Sequence, residues 1–475
     1  MNDHLKTATD VPSASPFSFT TSMLPTMNRL FTFVLGVLLL AVFAVPNVHA
    51  QEDEEEDEKP MWMEVDESRQ ARLRSPELGG EGLDRIKIGL QATGGLQFLD
   101  HSSDAGLKDI EGGFQNAAGN LTFDARITDG IDVYAELYLS SPNHVGDVFD
   151  REGYMYIDYL PEMFGETVNG IFKHIDLKVG HMELNFGDQR YFRSDVAQNL
   201  NNPLFGNYIV DANTIGVGAE LYGFYGPLTA MVGISSGATT GDFTDGRRNA
   251  VLGKLAFGEL NSPIRLSGSF YKVNQSRNAP GFPFDGSNSN LFSGNFSGSR
   301  YQAVWEGSPN AGQITLGNGG DVTAFQFDGR VNPSEDLTVS GLLGYMQDDD
   351  TNHNTVNPDF GRTGDDGNPT ESWTYFGGTA QYYLADPFYL AFRYNAASAN
   401  TLGTPQNEDR DSEGIVQRIQ VGFGLWIVPD KFLFKVEGVR QWANDFESGA
   451  KRLRGLDLAT EPRFSGVAAE AVISF

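Results

Sequence analysis

The sequence predicts an all-β chain, a sixteen-stranded antiparallel transmembrane β-barrel with short periplasmic turns at one rim and long extracellular loops at the other. Three observations predict it. From Asp84 to Phe475, apolar residues alternate with polar or small ones at a period of two, which gives a strand two chemically different faces. The segments run ~9 to 13 residues, about twice the ~5 to 6 of an average soluble strand and long enough for a tilted strand to cross a bilayer. Short and long connections alternate on an even strand count, the plan of a membrane barrel. Closure follows because hydrocarbon offers no hydrogen-bond partner to an open sheet edge.

Composition agrees. The 475 residues include 55 Gly, 34 Phe and 17 Tyr, and the mean hydropathy of −0.31 does not suit a bundle of apolar helices. Lys and Arg number 34 against 63 Asp and Glu, a formal charge of −29 that argues against nucleic acid as a partner. With no Cys, disulfide frameworks, thiolate metal sites and cysteine nucleophiles are excluded.

The elements follow in chain order. Residues 27–50 place Arg29 before an apolar run from Leu30 to Ala44, then Val48-His49-Ala50 as a small-x-small cleavage signal ahead of Gln51. This is the pattern of a secretory signal peptide, and the run falls short of the ~18 to 20 residues of a spanning helix. Residues 1–26 are then expected to be an extension from a start assigned too early. Residues 51–83 form an acidic leader, its run from Glu52 to Glu58 solvated and disordered, and too short for a plug domain.

Strands are expected over 84–98, 113–128, 130–140, 151–159, 172–184, 212–223, 227–236, 249–258, 262–273, 321–331, 336–346, 372–384, 387–397, 414–427, 431–442 and 464–475. In 130–140, Ile131, Val133, Ala135, Leu137 and Leu139 oppose Asp132, Tyr134, Glu136 and Tyr138. In 414–427, Ile419, Val421, Phe423 and Leu425 oppose Arg418, Gln420 and Gly422. The last strand sets Val467, Ala469, Ala471, Ile473 and Phe475 against Gly466, Glu470 and Ser474.

That final segment, ending on Phe475, resembles the C-terminal aromatic signature of Gram-negative outer-membrane barrels. The resemblance implies recognition of Phe475 by the barrel-assembly machinery and a setting among outer-membrane lipids. Residues 84–475 as a whole look like a sixteen-stranded porin, which implies passage of small hydrophilic solutes or ions and a homotrimer. The stretch from Val179 to Gly187, VGHMELNFG, is similar to a G-x-x-x-x-x-F-G segment of the phosphate-selective porin O/P family, which implies anions such as phosphate.

In such porins the third long loop folds inward. Here it spans 185–211 and carries Asp188, Arg190, Arg193 and Asp195, both charge signs within eight residues, as a constriction would need. The presumed lumen face is polarised. An acidic wall comprises Asp124, Asp132, Glu136, Glu152, Asp158, Asp176 and Glu220, against Arg126 and Lys178. A basic wall comprises Lys254, Arg265, Arg330, Arg393, Arg418 and Lys435, against Asp328 and Glu437. The functional reading is a transverse field that orients polar solutes; the structural alternative is that these charges pair and fill space.

No catalytic constellation stands out. His101, His144 and His353 fall on separate loops, with Asp100, Ser102 and Ser103 beside the first but no nucleophile motif. The oxygen-rich run from Asp348 to Asn354 lacks the spacing of a calcium loop, and Gly317–Gly320 lacks the strand–helix setting of a phosphate loop. No cofactor or metal is expected. The loop 274–320 has three expected fates: folding over the mouth, binding a partner subunit, or mobility. The functional expectation is a passive channel rather than an enzyme; the alternative is an occluded barrel with an adhesive or structural role.

Overall fold

The computed structural model describes residues 86–475 apart from 129, 141–148, 161–164, 166–169, 173, 195–197, 213–214, 236–248, 261, 275–300, 302–303, 306–311, 315, 317–320, 350–370, 404–408, 448–451 and 454–455. The expected signal peptide, acidic leader and N-terminal extension lie outside the described residues, as do Asp195, His144, His353 and Gly317–Gly320.

Sixteen strands form the barrel. They are β1 (Ile86–Ser102), β2 (Gly113–Thr128), β3 (Ile131–Ser140), β4 (Phe149–Ile157), β5 (Ile175–Glu183), β6 (Ile215–Tyr225), β7 (Leu228–Ser235) and β8 (Ala250–Phe257). The second half is β9 (Ile264–Asn274), β10 (Asp321–Ser334), β11 (Leu337–Asp348), β12 (Glu371–Ala385), β13 (Phe388–Gly403), β14 (Ile415–Val428), β15 (Phe432–Asn444) and β16 (Arg463–Ser474). Each pairs antiparallel with its sequence neighbours, and β16 pairs back onto β1 from Gln91↔Ser474 to Ser102↔Arg463. The seam is completed by Phe475 and Leu90, each of which donates its backbone N–H to the other's carbonyl, at 2.9 and 2.7 Å. Among the described residues the sixteen-strand ladder therefore closes on itself, as a sheet in hydrocarbon must.

Period-two alternation sets the faces. On β13, Tyr389, Ala391, Arg393, Asn395 and Ala397 are buried, while Leu390 and Phe392 between them are exposed. On the outside, Val232, Leu255 and Phe327 are 60–65% exposed, which in water would be an unusual apolar surface but suits lipid tails. Exposed aromatics gather near the turn rim, at Tyr159, Tyr225, Phe257, Tyr382 and Phe388, and near the loop rim at Phe98 and Phe114. Such rings prefer the headgroup level.

Every expected strand is present, and Asp132, Glu136, Glu220, Lys254, Arg265, Arg393, Arg418, Lys435 and Glu437 are buried along them, while Asp158 lies just past the end of β4. The ends differ. β1 runs four residues past 98 and β13 six past 397, because their ladders continue above the apolar band through polar pairs such as Asp100↔Ser465 and Ser372↔Thr401. A three-residue strand, Asp409–Asp411, adds to the top of β13. Apolar periodicity cannot mark where a ladder stops once both faces turn polar. At the turn rim the chain reverses tightly. Gly130 has φ +80, and a Cβ there would lie 2.3 Å from Cβ of Tyr159. Only glycine fits that reversal.

Candidate functional site

The barrel interior is filled to a large extent by two chain segments. The first, residues 184–212, leaves the wall after β5, and its described residues are buried almost throughout. It turns inward at Gly187 (φ +68), whose N–H donates to Ser269 Oγ at 3.0 Å and whose missing Cβ leaves room for the Gln326 amide. Phe186 before it is buried edge-on to Tyr271, with ring centroids 6.4 Å apart. The F-G pair of the sequence motif is therefore the point where the loop enters the lumen.

The loop is clamped by charge. The Asp188 carboxylate accepts from Lys254 Nζ at 2.7 Å and from Arg265 at 2.7 and 3.0 Å. Burial alone would raise this carboxyl; the two cations outweigh it and hold the group well below the ordinary carboxylate range. Arg193 pairs with Asp211 at 2.9 Å and so closes the loop on itself. Arg190 lies 3.8 Å from Glu183, which also pairs with Arg151 at 3.0 Å. Two short 3-10 turns, Gln189–Phe192 and Asn199–Asn201, shape the path between.

Three cations of the expected basic wall grip the loop's backbone. Arg393 donates to the carbonyl of Gly206 at 2.7 Å and to Asn202 Oδ1 at 3.0 Å, with its guanidinium 4.3 Å from the Tyr208 ring centre. Arg418 donates to the carbonyl of Asn207 at 2.8 Å. Lys435 donates to Asn199 Oδ1 at 2.8 Å and to the carbonyls of Asn202 and Leu204 at 3.1 Å, and pairs with Glu470 at 3.0 Å. Donors bind back in turn: the N–H groups of Phe205 and Gly206 reach Glu437 Oε2 at 2.9 and 3.1 Å, and that of Ile209 reaches Asn395 Oδ1 at 2.7 Å. Inside a low-dielectric wall such charge-assisted bonds are strong.

The expected acidic wall lies across from this. Glu136 accepts from Asn120 at 2.5 Å and from Tyr134 at 3.0 Å, and Arg151 stands 3.5 Å away. Asp132 pairs with Arg126 at 2.9 Å, and Asp176 accepts from Tyr156. The backbone N–H of Glu183 reaches Glu152, and that of Asn185 reaches Glu220 at 2.7 Å, so two more carboxylates hold the root of the loop. Lys178 sits 4.1 Å over the Tyr154 ring. Asp124 and Asp158 are half-buried on the same face. Most charges of the two expected walls are engaged with the loop or with each other.

The second inward segment comes from the connection after β9. Tyr301, Val304, Trp305, Ile314 and Leu316 are buried against the wall and against the first loop. Most of the loop 274–320, for which three fates were expected, lies outside the described residues. Tyr301 donates to Glu437, Arg418 donates to the carbonyl of Gly312 at 2.9 Å, and Ile314 N–H donates to the carbonyl of Ile209 at 2.9 Å. Burial and the adjacent Glu437 carboxylate push the Tyr301 phenol up, so it remains a donor. The signal was present: Tyr301, Val304 and Trp305 are an apolar cluster inside a loop otherwise rich in Asn, Ser and Gly. Arg151, Glu183, Asp211 and Asn395 were not singled out, and a lone polar residue gives no sign of its partner.

The loop-rim histidine has a structural task. His101 Nδ1 accepts the Trp305 N–H at 2.7 Å and its other ring nitrogen faces the Lys108 carbonyl, while Ser103 Oγ donates to Thr460. These residues do not form a nucleophile–base pair. Among the described residues no cluster of metal-ligating side chains occurs.

No family model and no curated protein matches the chain. Solved structures do. The outer membrane channel DcaP of Acinetobacter baumannii is similar over 85% of this chain and 100% of that one, at 11% identity and a TM-score of 0.50. The fold is that of an outer-membrane channel. The anion-selective porin from Comamonas acidovorans is similar over 82% of this chain and 99% of that one, at 10% identity and a TM-score of 0.49.

Proposed function

We propose that this chain is an outer-membrane porin, a passive diffusion channel for small hydrophilic solutes or ions whose lumen is narrowed by residues 184–212. The observation that carries the reading is the loop itself: a charged segment that leaves the wall of a closed barrel and is clamped across its interior by Asp188, Arg393, Arg418 and Lys435. A ring of fixed charges at a constriction sets which ions pass. The cations on β8 to β15 and the resemblance around Gly187 support anions, phosphate among them, as the preferred class. The reading includes export by the 27–50 signal, residence in a Gram-negative outer membrane, assembly through Phe475 and a homotrimeric state.

The test is single-channel conductance of the mature protein in a planar bilayer under a salt gradient. An ohmic conductance with a reversal potential of anion-selective sign is expected. A second reading, an occluded barrel with a structural or adhesive role, is favoured by one observation: Phe186, Phe205, Ile209, Tyr301 and Trp305 are at most 1% exposed inside the lumen. Folded protein with no conductance at any voltage selects it.

A further inference from the structure

On the turn side of the first loop the lumen is not filled. A cavity of about 60 Å³ lies between that loop and β9 to β13, and a second of about 40 Å³ adjoins it towards Trp426. Arg330, Gln381, Thr338 and Phe192 line both. At the ~15 Å³ that one water needs, the larger one holds about four.

Arg330 is anomalous. In the β9–β10 ladder it stands directly opposite Arg265, a like-charge pair that costs stability. Arg265 resolves its charge on Asp188 and on the carbonyl of Gly258. Arg330 does not: its Nε is sealed from solvent and has no hydrogen-bond partner among the described residues. Its guanidinium rests 4.9 Å from the Phe192 ring centre, which orients the fork without neutralising it. Arg393 also lines the larger cavity, and its bonds go to neutral acceptors, Thr379, the Gly206 carbonyl and Asn202. Three guanidiniums therefore face this space against the carboxylates of Asp188 and Asp328, the first already bound by two cations. Asp328 accepts from Gln326 at 2.8 Å.

We infer that this cavity is a binding site for a small oxyanion, held by the guanidinium of Arg330, with the Gln381 amide as a neutral donor beside it. Planar forks suit carboxylate and phosphate oxygens, and a half-buried guanidinium that makes no hydrogen bond to the described wall residues gains from such a partner. The site deepens the channel reading, as the station where a solute pauses below the constriction, and its test is arranged so that the two fail separately.

Equilibrium dialysis of radiolabelled inorganic phosphate, acetate and succinate, each in turn, against the detergent-folded barrel reads binding without reference to conductance and separates phosphate from carboxylate selectivity. Saturable binding is expected, at least tenfold weaker in Arg330→Gln and partly restored in Arg330→Lys, with circular dichroism confirming an intact barrel. Gln381→Leu is a second variant, expected to weaken binding without removing a charge. Absence of saturable binding of any of the three anions, or binding unchanged by Arg330→Gln, overturns the site. A conducting channel that fails this assay leaves the porin reading standing; a non-conducting barrel that passes it retains the site and loses the porin.

Discussion

At the scale of single residues, charge decides what the alternation leaves open. Asp188 is the clearest case, because it supplies the counter-charge for both Lys254 and Arg265. Asp188→Asn strands two buried cations, and removal of one partner from a buried pair costs about 3–5 kcal/mol. Lower stability in urea titration is the expected outcome. The pH dependence has a definite sign. A carboxyl held below its ordinary range contributes stability above the unfolded value of about 3.9 and loses it as pH falls through the folded value. The gap between wild type and Asp188→Asn should therefore stay constant from neutral pH to about pH 4 and shrink only in stronger acid. An unchanged midpoint in the variant at neutral pH would remove Asp188 from the clamp. The sequence showed that Asp188 lay in the inward loop; it did not show which cations it meets, since Lys254 and Arg265 lie 66 and 77 positions further on.

At the scale of elements, strands were legible and inward segments only in part. A strand advertises itself locally, because burial and lipid contact alternate residue by residue along it. The 184–212 loop was legible by its order in the chain. The segment around Tyr301 showed only as an apolar cluster with no stated place, because its burial depends on Phe464, Arg418 and Glu437, which come more than a hundred residues later. The same dependence changes what the basic wall does. Arg393 and Arg418 hold loop carbonyls, so replacement of both by Glu should do two things at once. It should enlarge the conductance by releasing the loop, and shift the reversal potential towards cations. Equal conductance and selectivity in wild type and variant would show that neither residue governs the constriction.

At the scale of the whole molecule, closure and filling are separate achievements. The ladder from Gln91↔Ser474 to Ser102↔Arg463 closes the barrel, and Phe475 sits at the foot of that seam with its ring half exposed on the outer surface. Phe475→Ala removes no interior contact, so refolding into detergent should proceed normally while the amount assembled in the outer membrane falls several-fold. Heat-modified gel mobility of the refolded protein and membrane-fraction blots measure the two; equal membrane levels would dismiss the residue as an assembly signal. The filling has a different logic. Glu437 receives two amides of one inward segment and the phenol of the other, and Arg418 donates to a carbonyl in each. Neither segment is thus a cassette that can be lifted into another barrel by itself. An engineer transplanting the constriction would have to carry both segments and their shared pair of wall residues together, and natural variation in one is answerable to the other.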